Sequence, residues 1–88
     1  MNNLFLKKHK IGDLVKIKSL AWYNTNKNYN GRVCFIGAPD DFIEDMSSYC
    51  GKTFMISSIV LNGYRLNGVD YSWSDFMLEE QDQLEFDF

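Results

Sequence analysis

Residues 60–76 read VLNGYRLNGVDYSWSDF, with two Asn-Gly pairs separated only by Tyr64, Arg65 and Leu66. Asn-Gly between apolar runs is the strongest short-range hairpin signal, because a type I′ turn needs positive φ at both central residues. Two such two-residue loops would set Tyr64 opposite Tyr71 and Arg65 opposite Asp70, joining three strands into a meander. The preceding run KTFMISSIVL (52–61) is rich in β formers. Phe54 and Ile56 share one face of a straight strand and Ile59 and Leu61 the other, so a bulge or bend is expected near Ser57-Ser58. Bends of this kind let small sheets close into barrels.

Upstream, IGDLVKIKS (11–19) reads as a strand entered through a Gly12-Asp13 turn, with Val15 and Ile17 alternating against Lys16 and Lys18. Residues 19–37 lose that pattern, and four asparagines around Trp22, Tyr23 and Tyr29 predict a long loop anchored by aromatics. RVCFIG (32–37) offers a short strand with Val33 and Phe35 on one face. Pro39, the acids at 40, 41, 44 and 45, and Gly51 as the residue after the end predict a short helix of about two and a half turns within APDDFIEDMSSYCGK (38–52), lidding one end of a barrel. Phe42, Met46 and Tyr49, or Ile43, Met46 and Cys50, would form its apolar stripe. SDFM (74–77) resembles one helical turn capped by Ser74, and LEE (78–80) a last short strand. Residues 1–80 therefore form one expected domain, mainly β, and residues 81–88 an acidic, flexible tail.

The segments GDLVKIKS, DMSSYCGKTFMISSI and YSWSDFMLE together resemble small, mostly uncharacterised SH3-like barrel proteins of bacteriophages and prophages. Their sequences are similar in a G-D-x-V-x-I start, a C-G-K segment and a tryptophan-containing end, over residues 11–80. The resemblance implies a small SH3-like barrel of about five strands with one short helix, and a phage origin, but no activity.

At 88 residues the chain suits one small core, and 45% hydrophobic with 16% aromatic residues is too rich in core formers for disorder. The net charge of −3 hides an asymmetry: residues 1–35 hold seven basic residues against Asp13, a net of +6, and the remainder two against eleven acids, a net of −9. Halves of this kind pair with one another in a small fold, or segregate into a basic patch for nucleic acid. Cys34 and Cys50 follow no secretory signal, and no window approaches the ~18 apolar residues of a membrane span. A cytoplasmic location with reduced thiols is expected, in the host cytoplasm if the chain is phage-encoded.

Catalytic chemistry finds no pattern here. His9 stands in a lysine cluster with no nucleophile near it in sequence, and Gly51-Lys52-Thr53 lacks the earlier glycine of a phosphate loop, Met46 standing there. Neither a cofactor nor a metal set is expected from two cysteines and one histidine without paired spacing. Binding is the expectation, in three forms. The first is a non-catalytic protein-binding module, contacting a host or phage protein as monomer or homodimer. Its aromatic candidates are Trp22 and Tyr23, expected exposed in the loop, and Tyr64, Tyr71 and Trp73, which either fill the sheet's inner face or meet the partner. The tail adds Gln83, Leu84, Phe86 and Phe88: QLEFDF resembles the short peptides that bind the bacterial sliding clamp, and an acidic end in phenylalanine resembles the tip of single-strand DNA-binding proteins. The second form is a nucleic-acid-binding barrel using Lys7, Lys8, Lys10, Lys16 and Lys18. The third is a phage anti-defence protein that sequesters a small ligand in a polar and aromatic pocket.

Overall fold

A computed structural model describes residues 8–37 and 40–79. Four antiparallel strands, β1 (Leu14–Lys16), β2 (Thr53–Val60), β3 (Gly63–Leu66) and β4 (Ser72–Trp73), form an open sheet in that spatial order. Around it lie helix α1 (Leu20–Asn26) and two 3-10 helices, Glu44–Tyr49 and Asp75–Met77. Thus the small β architecture matches expectation, whereas the sheet is not a closed barrel. Leu78 nonetheless reaches the far edge in a single antiparallel bridge to Ile17, with the Glu79 N–H donating to the Lys16 carbonyl at 2.8 Å. Among the described residues no helix is long and apolar enough to cross a membrane.

Alternation in β1 works as the sequence predicts: Val15 and Ile17 are buried, Leu14 and Lys16 exposed. So does the bend in β2. The register steps from Ile56↔Leu66 to Ser58↔Arg65, leaving Ser57 as the extra residue, its hydroxyl donating to the Arg65 carbonyl at 3.1 Å. Beyond that step Ile59 lies opposite the fully buried Tyr64 yet is itself 41% exposed, and Ser58 and Val60 are the partly covered positions of the strand.

The two Asn-Gly pairs behave differently from one another, and neither fills a two-residue loop as expected. Val60 pairs with Gly63, so the first loop is Leu61-Asn62, and neither of these has positive φ. Gly63 is instead a strand residue whose missing Cβ lets the backbone of Trp73 pass: an added Cβ would stand 2.2 Å from the Trp73 carbonyl oxygen. In the second pair Gly68 does turn with φ +83°, but the loop is longer, so Tyr64 lies opposite Trp73 and Arg65 opposite Ser72, two residues beyond the expected partners.

Three more expectations need correction. Residues 19–37 are not all loop, because Ser19 caps α1, accepting the Trp22 N–H at 3.0 Å, and Asn26 closes the turn onto the Trp22 carbonyl at 2.8 Å. A side-chain cap of this kind contributes about 1 kcal/mol, enough to tip a polar seven-residue segment that tertiary contacts also hold. The helix predicted within 38–52 shrinks to the 3-10 helix at 44–49, because Phe42 is drawn into a bridge with Val33. There the Met46 sulfur accepts the Ile43 N–H at 3.4 Å, and Gly51 ends the segment at φ +79° as anticipated. Finally, Ser74 precedes the last 3-10 helix as expected, yet its hydroxyl makes no capping bond and is buried without a partner among the described residues.

The core joins Val15, Ile17, Ile56, Tyr64, Leu66 and Trp73 from the sheet with Tyr23 of α1, Phe42, Met46, Met77 and Leu78. Phe42 is its hub: Trp22, Tyr23 and Trp73 all pack on that ring, with centroids 5.2–5.9 Å away.

Candidate partner-binding surface

On the outside of this core, three rings from three separate segments stack in a row. Trp22 of α1 lies nearly parallel to Phe35 (centroids 6.1 Å apart, 9° between planes), and Phe35 to Phe76 (5.5 Å, 20°). Trp22 and Phe35 are half-buried, and Phe76 is 50% exposed. The ammonium of Lys18 sits over the Trp22 ring at 5.9 Å. The local causes are plain: the Ser19 cap starts α1 so that Trp22 falls beside Phe42, and the 3-10 turn after Trp73 buries Met77 while leaving Phe76 outward. Next to Phe35 in the chain, Ile36 is 99% exposed.

No protein-family model matches the chain, and comparisons with curated proteins and with solved structures found no significant match.

Of the aromatic residues singled out in the sequence, Trp22 alone belongs to this ridge. Tyr23, expected exposed, is buried, its hydroxyl donating to the Gly31 carbonyl at 2.7 Å. Tyr64 and Trp73 are fully buried, and Tyr71 packs its ring edge-on against Trp73 at 6.2 Å while remaining half-exposed. Gln83, Leu84, Phe86 and Phe88 lie outside the described residues, as does Lys7. Phe35 and Phe76 carry no such signal in the sequence. Each lies in a segment that reads as a strand or a turn, and only the fold brings them together.

The lysines answer the charge question in part. Lys10 pairs with Asp13 at 3.8 Å and Arg32 with Asp41 at 3.6 Å, the latter joining the basic and acidic halves. Among the described residues no ion pair engages Lys16, Lys18 or Lys52, and the acids of the 44–49 helix do not neutralise them. Lys16 lies across the ladder from Thr53, next to Lys52 in the chain, so Lys16, Lys18 and Lys52 gather where β1 and β2 meet, and of the three it is Lys18 that reaches the ridge, over Trp22. A separate open groove of about 530 Å³ has Arg32, Arg65, Asp40, Asp41 and Asp70 on its walls with Tyr71. Its opposed charges give it no single-sign preference.

His9 is not isolated. Its backbone N–H donates to the Tyr64 hydroxyl at 3.2 Å, the hydroxyl donates to Asp75 Oδ1 at 2.8 Å, and the imidazole lies 3.9 Å from Asp13 and 4.0 Å from Asp75. Burial first, and then the bond to Asp75, push the Tyr64 phenol up to about 12. Both thiols are also pushed up, Cys50 by burial and Cys34 by burial and then by Asp41, which disfavours the thiolate a nucleophile requires. Among the described residues no group of three His, Cys, Asp or Glu is placed to hold a metal ion.

The raised phenol has a measurable consequence. A group whose folded pKa lies above its unfolded value contributes stability that is complete below the unfolded pKa and disappears as pH rises through the folded one. For Tyr64 that window runs from about 10 to about 12. The unfolding free energy should fall by roughly 1 kcal/mol between pH 9 and pH 11 on account of this residue. Urea titrations at both pH values, in the native chain and in Tyr64→Phe, measure it. Equal losses in the two proteins would show that the phenol is not responsible.

Proposed function

We propose that the chain is a non-catalytic protein-binding module on an SH3-like scaffold, and that the ridge of Trp22, Phe35 and Phe76 is its contact surface. The observation that carries the reading is a partly exposed row of three stacked rings, supplied by three segments and packed on the outer side of the buried core. Rings at that level of exposure supply the anchors of protein interfaces, where a few aromatic residues carry most of the binding energy. Lys18 over Trp22, with Lys16 and Lys52 close by on the β1–β2 ladder and all three without an ion pair among the described residues, favours a partner segment in which apolar residues alternate with acids. The bridge from Leu78 to Ile17 supports the scaffold reading, since it carries the chain from one sheet edge to the other as a small barrel would.

Display of a random peptide library against the chain ending at Glu80 tests this. Enriched peptides should carry aromatic residues flanked by acids, and Phe76→Ala should weaken them about ten-fold or more, as loss of an interface anchor does. Enrichment that Phe76→Ala leaves unchanged would place the surface elsewhere.

Nucleic acid is the second reading, favoured by lysines that no described acid neutralises beside exposed rings. Against it stand the net charge of −3 and the fact that the rings spend part of their faces on one another instead of offering them to bases. Binding of oligo-dT that falls steeply with salt would establish it in place of the first.

A further inference from the structure

The ridge has a candidate occupant in the chain itself. The described residues end at Glu79, which is held close to the start of the helix carrying Trp22: its carboxylate accepts the N–H of Ser19, the cap of that helix, and its own N–H donates to the Lys16 carbonyl. Phe76 lies three residues before it. The chain continues as EQDQLEFDF, in which Leu84, Phe86 and Phe88 alternate with Glu85 and Asp87. In an extended segment that alternation sets three apolar side chains on one face and the acids on the other. Extended chain covers about 3.3 Å per residue, so Leu84 can reach about 17 Å from Glu79 and Phe88 about 30 Å. Both exceed the distances between neighbouring rings of the ridge. The charges are complementary: the sequence after Glu79 carries Asp82, Glu85 and Asp87, while no acid pairs with Lys16, Lys18 or Lys52 among the described residues.

We propose that residues 82–88 dock in cis on the ridge of Trp22, Phe35 and Phe76, so that the chain covers its own contact surface until a partner displaces the tail. The inference rests on the ridge being a binding surface. It also converts the acidic tail from a partner-seeking peptide into an internal competitor, whose strength sets the affinity that an external ligand must exceed.

Trp73 is fully buried, so quenching of tryptophan fluorescence by acrylamide reports Trp22. In the full chain Trp22 should be protected; ending the chain at Glu80 should raise its quenching about two-fold and shift emission to the red, as a newly wetted ring requires. Phe86→Ala with Phe88→Ala in the full chain should do the same, and the peptide QDQLEFDF added to the shortened chain should restore protection. High salt should loosen the docked tail, because the Debye length falls from about 10 Å at 0.1 M to about 3 Å at 1 M. Protection should be unchanged over a roughly hundred-fold range of protein concentration, as an intramolecular contact demands. Equal quenching in full and shortened chains would overturn the proposal. So would protection that grows with concentration, which would mean a second copy supplies the tail. Peptide display on the shortened chain is blind to the tail, so it can succeed where this proposal fails.

Discussion

Gly63→Ala removes roughly 3–5 kcal/mol of stability, the range reached when a substitution forces a packed backbone apart. The reason is geometric. A Cβ at this position would meet the Trp73 carbonyl oxygen at 2.2 Å, its carbon at 2.7 Å and Ser74 Cα at 3.0 Å. All three belong to backbone, which cannot swing aside as a side-chain tip would. The strand that must move is β4, whose Trp73 is fully buried, so relief at residue 63 disturbs the centre of the core. A domain of this size has about 4–13 kcal/mol in total, and the variant should be partly or wholly unfolded at room temperature. Gly68→Ala is the control. There an added Cβ meets nothing within 4 Å, and only φ +83° opposes it. Its cost should be about 1 kcal/mol. Urea titration followed by circular dichroism measures both, and similar midpoints for the two variants would refute the close-approach account.

Trp73→Ala should cost about 3–5 kcal/mol, as large-to-small changes of buried aromatic residues do. Trp73 holds Phe42, Tyr49 and Tyr71 edge-on against its ring at 5.9–6.2 Å, so its removal leaves three other rings without their partner. Trp73→Phe separates packing from polarity. The indole N–H is buried with no partner among the described residues, and a phenylalanine takes that unpaired donor away along with part of the ring. The expected loss is about 1–2 kcal/mol. A Trp73→Phe variant as unstable as Trp73→Ala, by the same titration, would mean that the full indole shape is indispensable.

How far the fold can be read from the sequence depends on the range of each interaction. Val15 and Ile17, the bend at Ser57 and the turn at Gly68 depend on neighbours within a few residues, and all are legible in the chain. Helix α1 is hidden because its composition is that of a loop: four of its residues are Asn, Thr or Ala, and only Tyr23 is buried. The Ser19 cap is its one local sign. Gly63 shows the harder case, since the same Asn-Gly spelling that marks a turn at 67–68 marks a close passage of two strands at 62–63. That passage depends on Trp73, which lies on another strand. The surface is still less legible. Phe35 and Phe76 meet, and His9 reaches Tyr64 across 55 residues, only after the sheet has formed.

Residues 72–79 first pair with β3 and then, through Leu78 and Glu79, with β1, so one short segment seals both margins of the sheet. Because the same eight residues serve both sides, they cannot come loose at one margin without weakening the other. Any fluctuation that frees them would bare two unpaired strand edges at once, each a template for joining further chains. The tightness of this clasp therefore governs how readily the protein aggregates, a property set by a few backbone bonds in the same segment that carries Phe76.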